Sequence, residues 1–145
     1  MGKVYLHRAG LPDRYLGRVE PDSGKVYHHR HGPDEYLGRV ILDNGKVYRH
    51  RIGPDEYLGR VRLEDGKVYS HRIGPDRYVA EVKPNGRIYR HNFLGLDEYL
   101  GCVEEMHSLA EGGGAYFLLL LPIIEGAEIE DRSAEQMRSG RTADS

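Results

Sequence analysis

The chain has 145 residues, 39% hydrophobic and 30% charged, with a formal charge of −2, the composition of one soluble-type domain. Residues 1–106 carry 18 lysines and arginines against 16 acids, a net +2, and residues 107–145 carry 3 against 7, a net −4; neither has the basic excess of a non-specific nucleic-acid binder, so there is no strong nucleic-acid signal. A lone cysteine, Cys102, excludes an internal disulfide, and with Met1-Gly-Lys-Val-Tyr5 entering a strand at once, a cytoplasmic location is expected.

From the N-terminus the chain repeats itself. Counted from the glycine that opens each return strand, copies begin at Gly2, Gly24, Gly45, Gly66 and Gly86, and a period near 21 residues marks a tandem array. Each copy holds a Gly-Lys/Arg-Val/Ile-Tyr-x-His strand, a loop of the Gly-Pro-Asp kind, and a Tyr-x-Gly-x-Val strand. The Tyr-x-His pairs are Tyr5/His7, Tyr27/His29, Tyr48/His50, Tyr69/His71 and Tyr89/His91. The outgoing strands carry Gly17, Gly38, Gly59 and Gly101, with Ala80 at the fourth position. In the second full copy, Tyr36–Leu42 and Lys46–Arg51 are expected strands joined at Asp43-Asn44-Gly45, where glycine supplies a positive φ.

Register follows from that turn. A three-residue loop with a glycine bulge sets Val40 opposite Tyr48, Gly38 opposite His50 and Arg39 opposite Arg49. Strict alternation then places Tyr36, Gly38, Val40, Tyr48 and His50 on one, packed face, with Tyr or His rings lying over the cross-strand glycines. The fold class is thus all-β: five tandem hairpins of about 21 residues in an antiparallel meander, followed by a short apolar segment. The chain starts on a lone return strand and the repeats end on a lone outgoing strand, so the ends could close ten strands into a ring or barrel. Gly-rich, half-polar strands leave little interior volume, which favours the open twisted sheet, its edges free to pair with other subunits.

These hairpins resemble MORN repeats. Glu56-Tyr-Leu-Gly-Arg-Val61 after Ile52-Gly-Pro-Asp55 is similar to the core signature of that family, and the likeness covers residues 2–103. Valine stands here where the family has an aromatic after the glycine, and the return strands differ too. The resemblance implies an elongated, twisted sheet serving as a scaffold or dimerisation platform, with no catalytic residues to carry over.

Three segments are delimited: the repeat domain at 1–106, a linker and apolar packing segment at 107–124, and an acidic tail at 125–145 expected to be disordered. Glu104–Glu111 suggests one or two helical turns, Gly112-Gly113-Gly114 a flexible break, and Ala115–Ile124 a run apolar on all sides, strand or helix. That run is well short of the roughly 20 residues of a membrane span, so the chain is expected not to be transmembrane. Phe117, Leu118, Leu119, Leu120 and Leu121 must be covered, either by the sheet or as an interface with a second copy.

Chemistry is sparse. The five histidines lie two strands apart in a continuous sheet, roughly 10 Å, too far to share a metal at Zn–N distances of about 2.0 Å; they are expected to be structural, donating to the aspartate of the following loop. His28, His29 and His31 are the local exception, able to catch a metal adventitiously. Arg18, Arg39, Arg49, Arg51, Arg60 and Arg72 would stripe one face and could bind anions, unless neighbouring glutamates neutralise them. No nucleophile elbow, phosphate loop or isolated carboxylate pair occurs, so no enzyme activity, cofactor or metal is expected, and no single deep pocket. The expected function is a structural or scaffolding protein that self-associates through sheet edges and the apolar segment, as a homo-oligomer or with a protein partner. The alternative is a binding module whose Arg or Tyr/His face recognises an anionic ligand, lipid headgroup or nucleic acid.

Overall fold

The computed structural model describes residues 1–143. The repeats form ten antiparallel strands: β1 (Gly2–Leu6), β2 (Arg14–Val19), β3 (Lys25–His28), β4 (Glu35–Val40), β5 (Lys46–Arg49), β6 (Glu56–Val61), β7 (Lys67–Ser70), β8 (Arg77–Val82), β9 (Arg87–Arg90) and β10 (Glu98–Glu104). They close into a barrel in which β1 pairs with β10, Val4 facing Val103 and Tyr5 facing Cys102. The closed alternative is therefore the one realised, in place of the open, elongated sheet. No free strand edge remains for pairing with another subunit.

The glycine turns after β2, β4 and β6 contain four residues, not three; only the turn after β8, Pro84-Asn85-Gly86, has three. Ile41 N–H donates to the Lys46 carbonyl (2.8 Å) and Gly45 N–H to the Ile41 carbonyl (2.8 Å), with Gly45 at φ 75°. The extra residue moves the register by one: Val40 faces Val47, Arg39 faces Tyr48 and Gly38 faces Arg49. At the other strand junction a bulge skips Leu37 or Leu58, so that Val47 faces Gly59 while Tyr48 faces Tyr57. The bulge breaks alternation, turning Gly59 and Val61 inward and Tyr57 outward. The expected packed face is corrected accordingly: the Tyr and His rings lie on the outer wall, and they do not cover the cross-strand glycines.

Inside, one aliphatic side chain from every strand forms a ring: Val4, Val19, Val26, Val40, Val47, Val61, Val68, Val82, Ile88 and Val103, all buried. Through this ring runs the chain after β10. It forms α1 (Leu109–Ala115), a π-helical turn (Tyr116–Leu120) and α2 (Leu121–Ala143). The Gly112-Gly113-Gly114 segment, expected to be a flexible break, is helical and buried. A Cβ on Gly112 would lie 2.3 Å from Val82 Cγ1, and one on Gly113 2.5 Å from Val61 Cγ1. Only a bare backbone passes the valine ring.

Farther along, wall and helix exchange roles. Gly17, Gly38, Gly59 and Gly101 face inward beside a neighbouring backbone carbonyl that would lie 2.0–2.2 Å from an added Cβ. Their bareness admits Leu118 beside Gly38, Phe117 beside Gly59 and Leu120 beside Gly101. Residues 116–120, considered above as an interface with a second copy, are instead buried within one chain, and Leu121 is half-buried at the mouth. By length and composition the stretch Leu109–Gln136 could cross a membrane, but half of its apolar window lies inside the barrel. Helix α2 continues through the segment expected to be a disordered tail, with exposed side chains at 125–130 and 132–136: its polarity does not preclude helical hydrogen bonding. Residues 144 and 145 lie outside the described residues.

Candidate functional site

The repeat generates five copies of one arrangement on the outer wall. A cross-strand tyrosine pair, such as Tyr27 and Tyr36 with ring centroids 5.6 Å apart, is extended by a histidine, His50 on Tyr36 at 5.1 Å. The series continues as Tyr5–Tyr15–His29, Tyr48–Tyr57–His71 and Tyr69–Tyr78–His91. The fifth, Tyr89–Tyr99–His7, crosses the β1–β10 seam. Each histidine Nδ1 lies 3.4–3.6 Å from its loop aspartate: Asp13, Asp34, Asp55, Asp76 and Asp97 for His7, His29, His50, His71 and His91. The expected histidine–aspartate pairing is present, but the rings are stacked on the surface rather than buried. Burial first, then the nearby Asp34 and Asp55 carboxylates, push the Tyr15 and Tyr36 hydroxyls above their ordinary range.

Beside these stacks, across the loop junctions, cations stand directly opposite cations. Lys3 faces Arg18, Lys25 faces Arg39 and Lys46 faces Arg60. Like charges on facing positions destabilise a sheet, yet the pairing recurs in three consecutive hairpins. Arg18 is relieved by an ion pair with Asp34 and lies over the Tyr27 ring at 4.2 Å. The other five form no ion pair among the described residues and are exposed. The series stops at β7, where Lys67 faces Glu81, and at β9, where Arg87 faces Cys102. The lysine after each turn glycine was visible as a repeat position; its arginine partner lies across the following Gly-Pro-Asp-type loop, a junction whose register the turn chemistry does not set.

The anticipated arginine stripe is thus divided. Arg18, Arg39 and Arg60 are on the wall. Arg49 turns to the inner rim of the mouth, its Nη1 3.4 Å from Glu56 Oε1. Arg51 and Arg72 belong to the loops, where each Nε donates to a proline carbonyl, Pro54 at 2.9 Å and Pro75 at 2.8 Å. These two loops and their equivalents after β1 and β9 carry exposed apolar tips, Ile52, Ile73, Leu11 and Phe93 among them.

Where α2 leaves the mouth it breaks the five-fold equivalence and creates two clefts, which equal ligand positions in every repeat did not lead one to expect. One, of about 560 Å³, lies against β3–β5, and a larger one, of about 1130 Å³, against β7–β10. In the larger, Arg90 bridges to Glu98 and to Glu128 of α2.

At the opposite end, Glu111 is fully buried; its Oε2 accepts the backbone N–H groups of His107 and Ser108, and its Oε1 has no hydrogen bond but lies 3.8 Å from His107 Nδ1. His28 and His29 diverge, one to the mouth and one to the wall, and among the described residues no three His, Cys, Asp or Glu side chains converge on a metal-sized site. Cys102 lies on the wall, its thiol pushed up by burial despite a hydrogen bond with Tyr99. No protein-family model, curated protein or solved structure matches this chain.

Proposed function

We propose that this barrel is a non-enzymatic binding module that holds an anionic ligand against the cation-rich sector of its wall, from β1 to β6. The observation that carries the reading is the set of facing pairs Lys3/Arg18, Lys25/Arg39 and Lys46/Arg60. Unrelieved facing charge weakens a sheet by a few tenths to about 1 kcal/mol per pair, and a bound anion converts that repulsion into attraction. The pairs repeat every two strands, roughly 10 Å along the wall, so an extended ligand with several anionic groups engages them together.

The test is binding of the full chain to dextran sulfate and to a single-stranded oligonucleotide across a salt series. Affinity is expected to fall steeply with salt, and the Arg39→Glu/Arg60→Glu double variant to lose binding while Lys83→Glu, outside the sector, retains it. A double variant that keeps full affinity for both polyanions would overturn the reading.

A further inference from the structure

The smaller cleft at the mouth is separate from the cationic wall and has its own chemistry. Its floor is apolar, formed by Leu37 of the β4 bulge, Leu118 and Leu119 of the π turn, and Ile123 of α2. Its rim carries His28, Arg49 and His50 against one carboxylate, Glu35. A volume of about 560 Å³ falls within the range of small-molecule sites.

The cleft has a local cause. Pro122 cannot donate a backbone hydrogen bond and its ring crowds the carbonyl one turn earlier. The preceding turn is wound as a π-helix, with Leu121 N–H donating to the Tyr116 carbonyl. Such turns are rare and concentrate at functional sites. The rim is also particular to this side of the barrel. The position between Tyr and His in each return strand is Leu6, His28, Arg49, Ser70 and Arg90. Arg90 is held between Glu98 and Glu128. Arg49 has one acidic contact, through Nη1 to Glu56, and half of its side chain is exposed, leaving the rest of its planar fork for a carboxylate or phosphate.

We infer that this cleft binds a single-chain amphipathic anion, its apolar chain against Leu37, Leu118 and Ile123 and its anionic head at Arg49 and His28. An apolar floor beneath a rim of three nitrogen-bearing side chains and one carboxylate matches such a molecule at both ends. The rim groups have single, long carboxylate contacts, His28 to Glu35 at 3.9 Å, Arg49 to Glu56 at 3.4 Å and His50 to Asp55 at 3.6 Å; a purely apolar ligand would gain nothing from their remaining donors, and a small inorganic ion would leave the floor uncovered.

Calorimetric titration of the full chain with dodecyl phosphate, dodecanoate, dodecanol and inorganic phosphate, below micellar concentrations, tests the assignment. At least one amphipathic anion is expected to bind about tenfold or more tighter than the alcohol, the margin of a charge-assisted hydrogen bond, and the order of the two anions identifies the head. Arg49→Ala removes that advantage and leaves dodecanol affinity unchanged; because the side chain is half exposed, thermal unfolding is expected to be near wild type. Ile123→Asp weakens all three chain-bearing ligands. Equal affinity for dodecanol and both anions, equal affinity for inorganic phosphate and dodecyl phosphate, or an unchanged anion preference in Arg49→Ala would each overturn it. The Arg39→Glu/Arg60→Glu variant is expected to bind these ligands normally, so the cleft and the wall can fail separately.

Discussion

Gly113 of the threaded helix lies directly against Val61 of the barrel wall, with no room for a side chain between them: an added Cβ would fall 2.5 Å from Val61 Cγ1 and 2.9 Å from its Cβ. Two opposed effects meet at this residue. Glycine inside a helix is unfavourable by up to about 1 kcal/mol relative to alanine, whereas extra methyl groups in a closed core destabilise by about 1–3 kcal/mol. Because Val61 is anchored in a hydrogen-bonded strand, crowding prevails.

Gly113→Val is therefore expected to destabilise the protein by at least 1–3 kcal/mol. Gly126→Ala, in α2 with open space around it, should be neutral or stabilising by up to about 1 kcal/mol. Chemical denaturation of both variants checks the contrast; a Gly113→Val protein as stable as wild type would mean that the helix does not occupy the valine ring.

The seam can be examined through one stacking contact. His7 lies 4.7 Å from the Tyr99 ring, as His50 lies 5.1 Å from Tyr36. His7→Ala and His50→Ala are expected to cost a similar 0.5–1.5 kcal/mol, roughly the worth of one aromatic pair. In an open sheet His7 would have no ring to meet, so a silent His7→Ala beside a costly His50→Ala would argue against closure.

Alkaline pH acts on the plugged core. Burial pushes the Tyr116 hydroxyl up to about 12 from its ordinary 10. The raised group holds its proton in the folded state after the unfolded chain has released it. The associated stability is complete below pH 10 and is lost as pH rises from 10 to about 12. Tyr116→Phe should flatten that decline, measured as the denaturation midpoint across the alkaline range. Tyr99, pushed up to about 12 first by burial and then by Cys102, leaves a residual slope.

Closure also governs association. Without free edges, and with residues 116–120 inside, sedimentation is expected to report a mass of 16.5 kDa at all accessible concentrations. Removing residues 1–8 exposes the flanks of β2 and β10 and should produce concentration-dependent assembly. Self-association of the intact chain would require a surface other than the sheet edges.

The hairpins were legible because turn chemistry is local: a glycine at φ 75° after Asp-Asn, with Asn44 accepting the Lys46 N–H at 3.0 Å, announces itself. The bulge was signalled too, by two successive apolar-bodied residues in Tyr-Leu-Gly, a pattern that strict alternation cannot seat on one face. The threaded helix was not legible. Three consecutive glycines disfavour helix in isolation, and only enclosure by ten aliphatic side chains makes their bareness an advantage. The wall cations were recognised singly, but their opposition is set across the Gly-Pro-Asp-type loops and the bulges beside them, where no turn residue announces the register. The mouth cleft depends on where α2 emerges, which no repeat position encodes.

The exchange of bulk between wall and helix sets an order of events. Below, bulky valines surround bare glycines; above, bare glycines surround Phe117 and the leucines. The chain enters from beneath β10, so a helix inserted into a finished barrel would have to pull its large side chains through the valine ring. The barrel is therefore expected to wrap the helix, with the contact between β1 and β10, the pair most distant in sequence, forming last. Pulsed exchange labelling should find amides at this seam the latest to gain protection during refolding, and the slow phase of folding should report the time needed to fasten it.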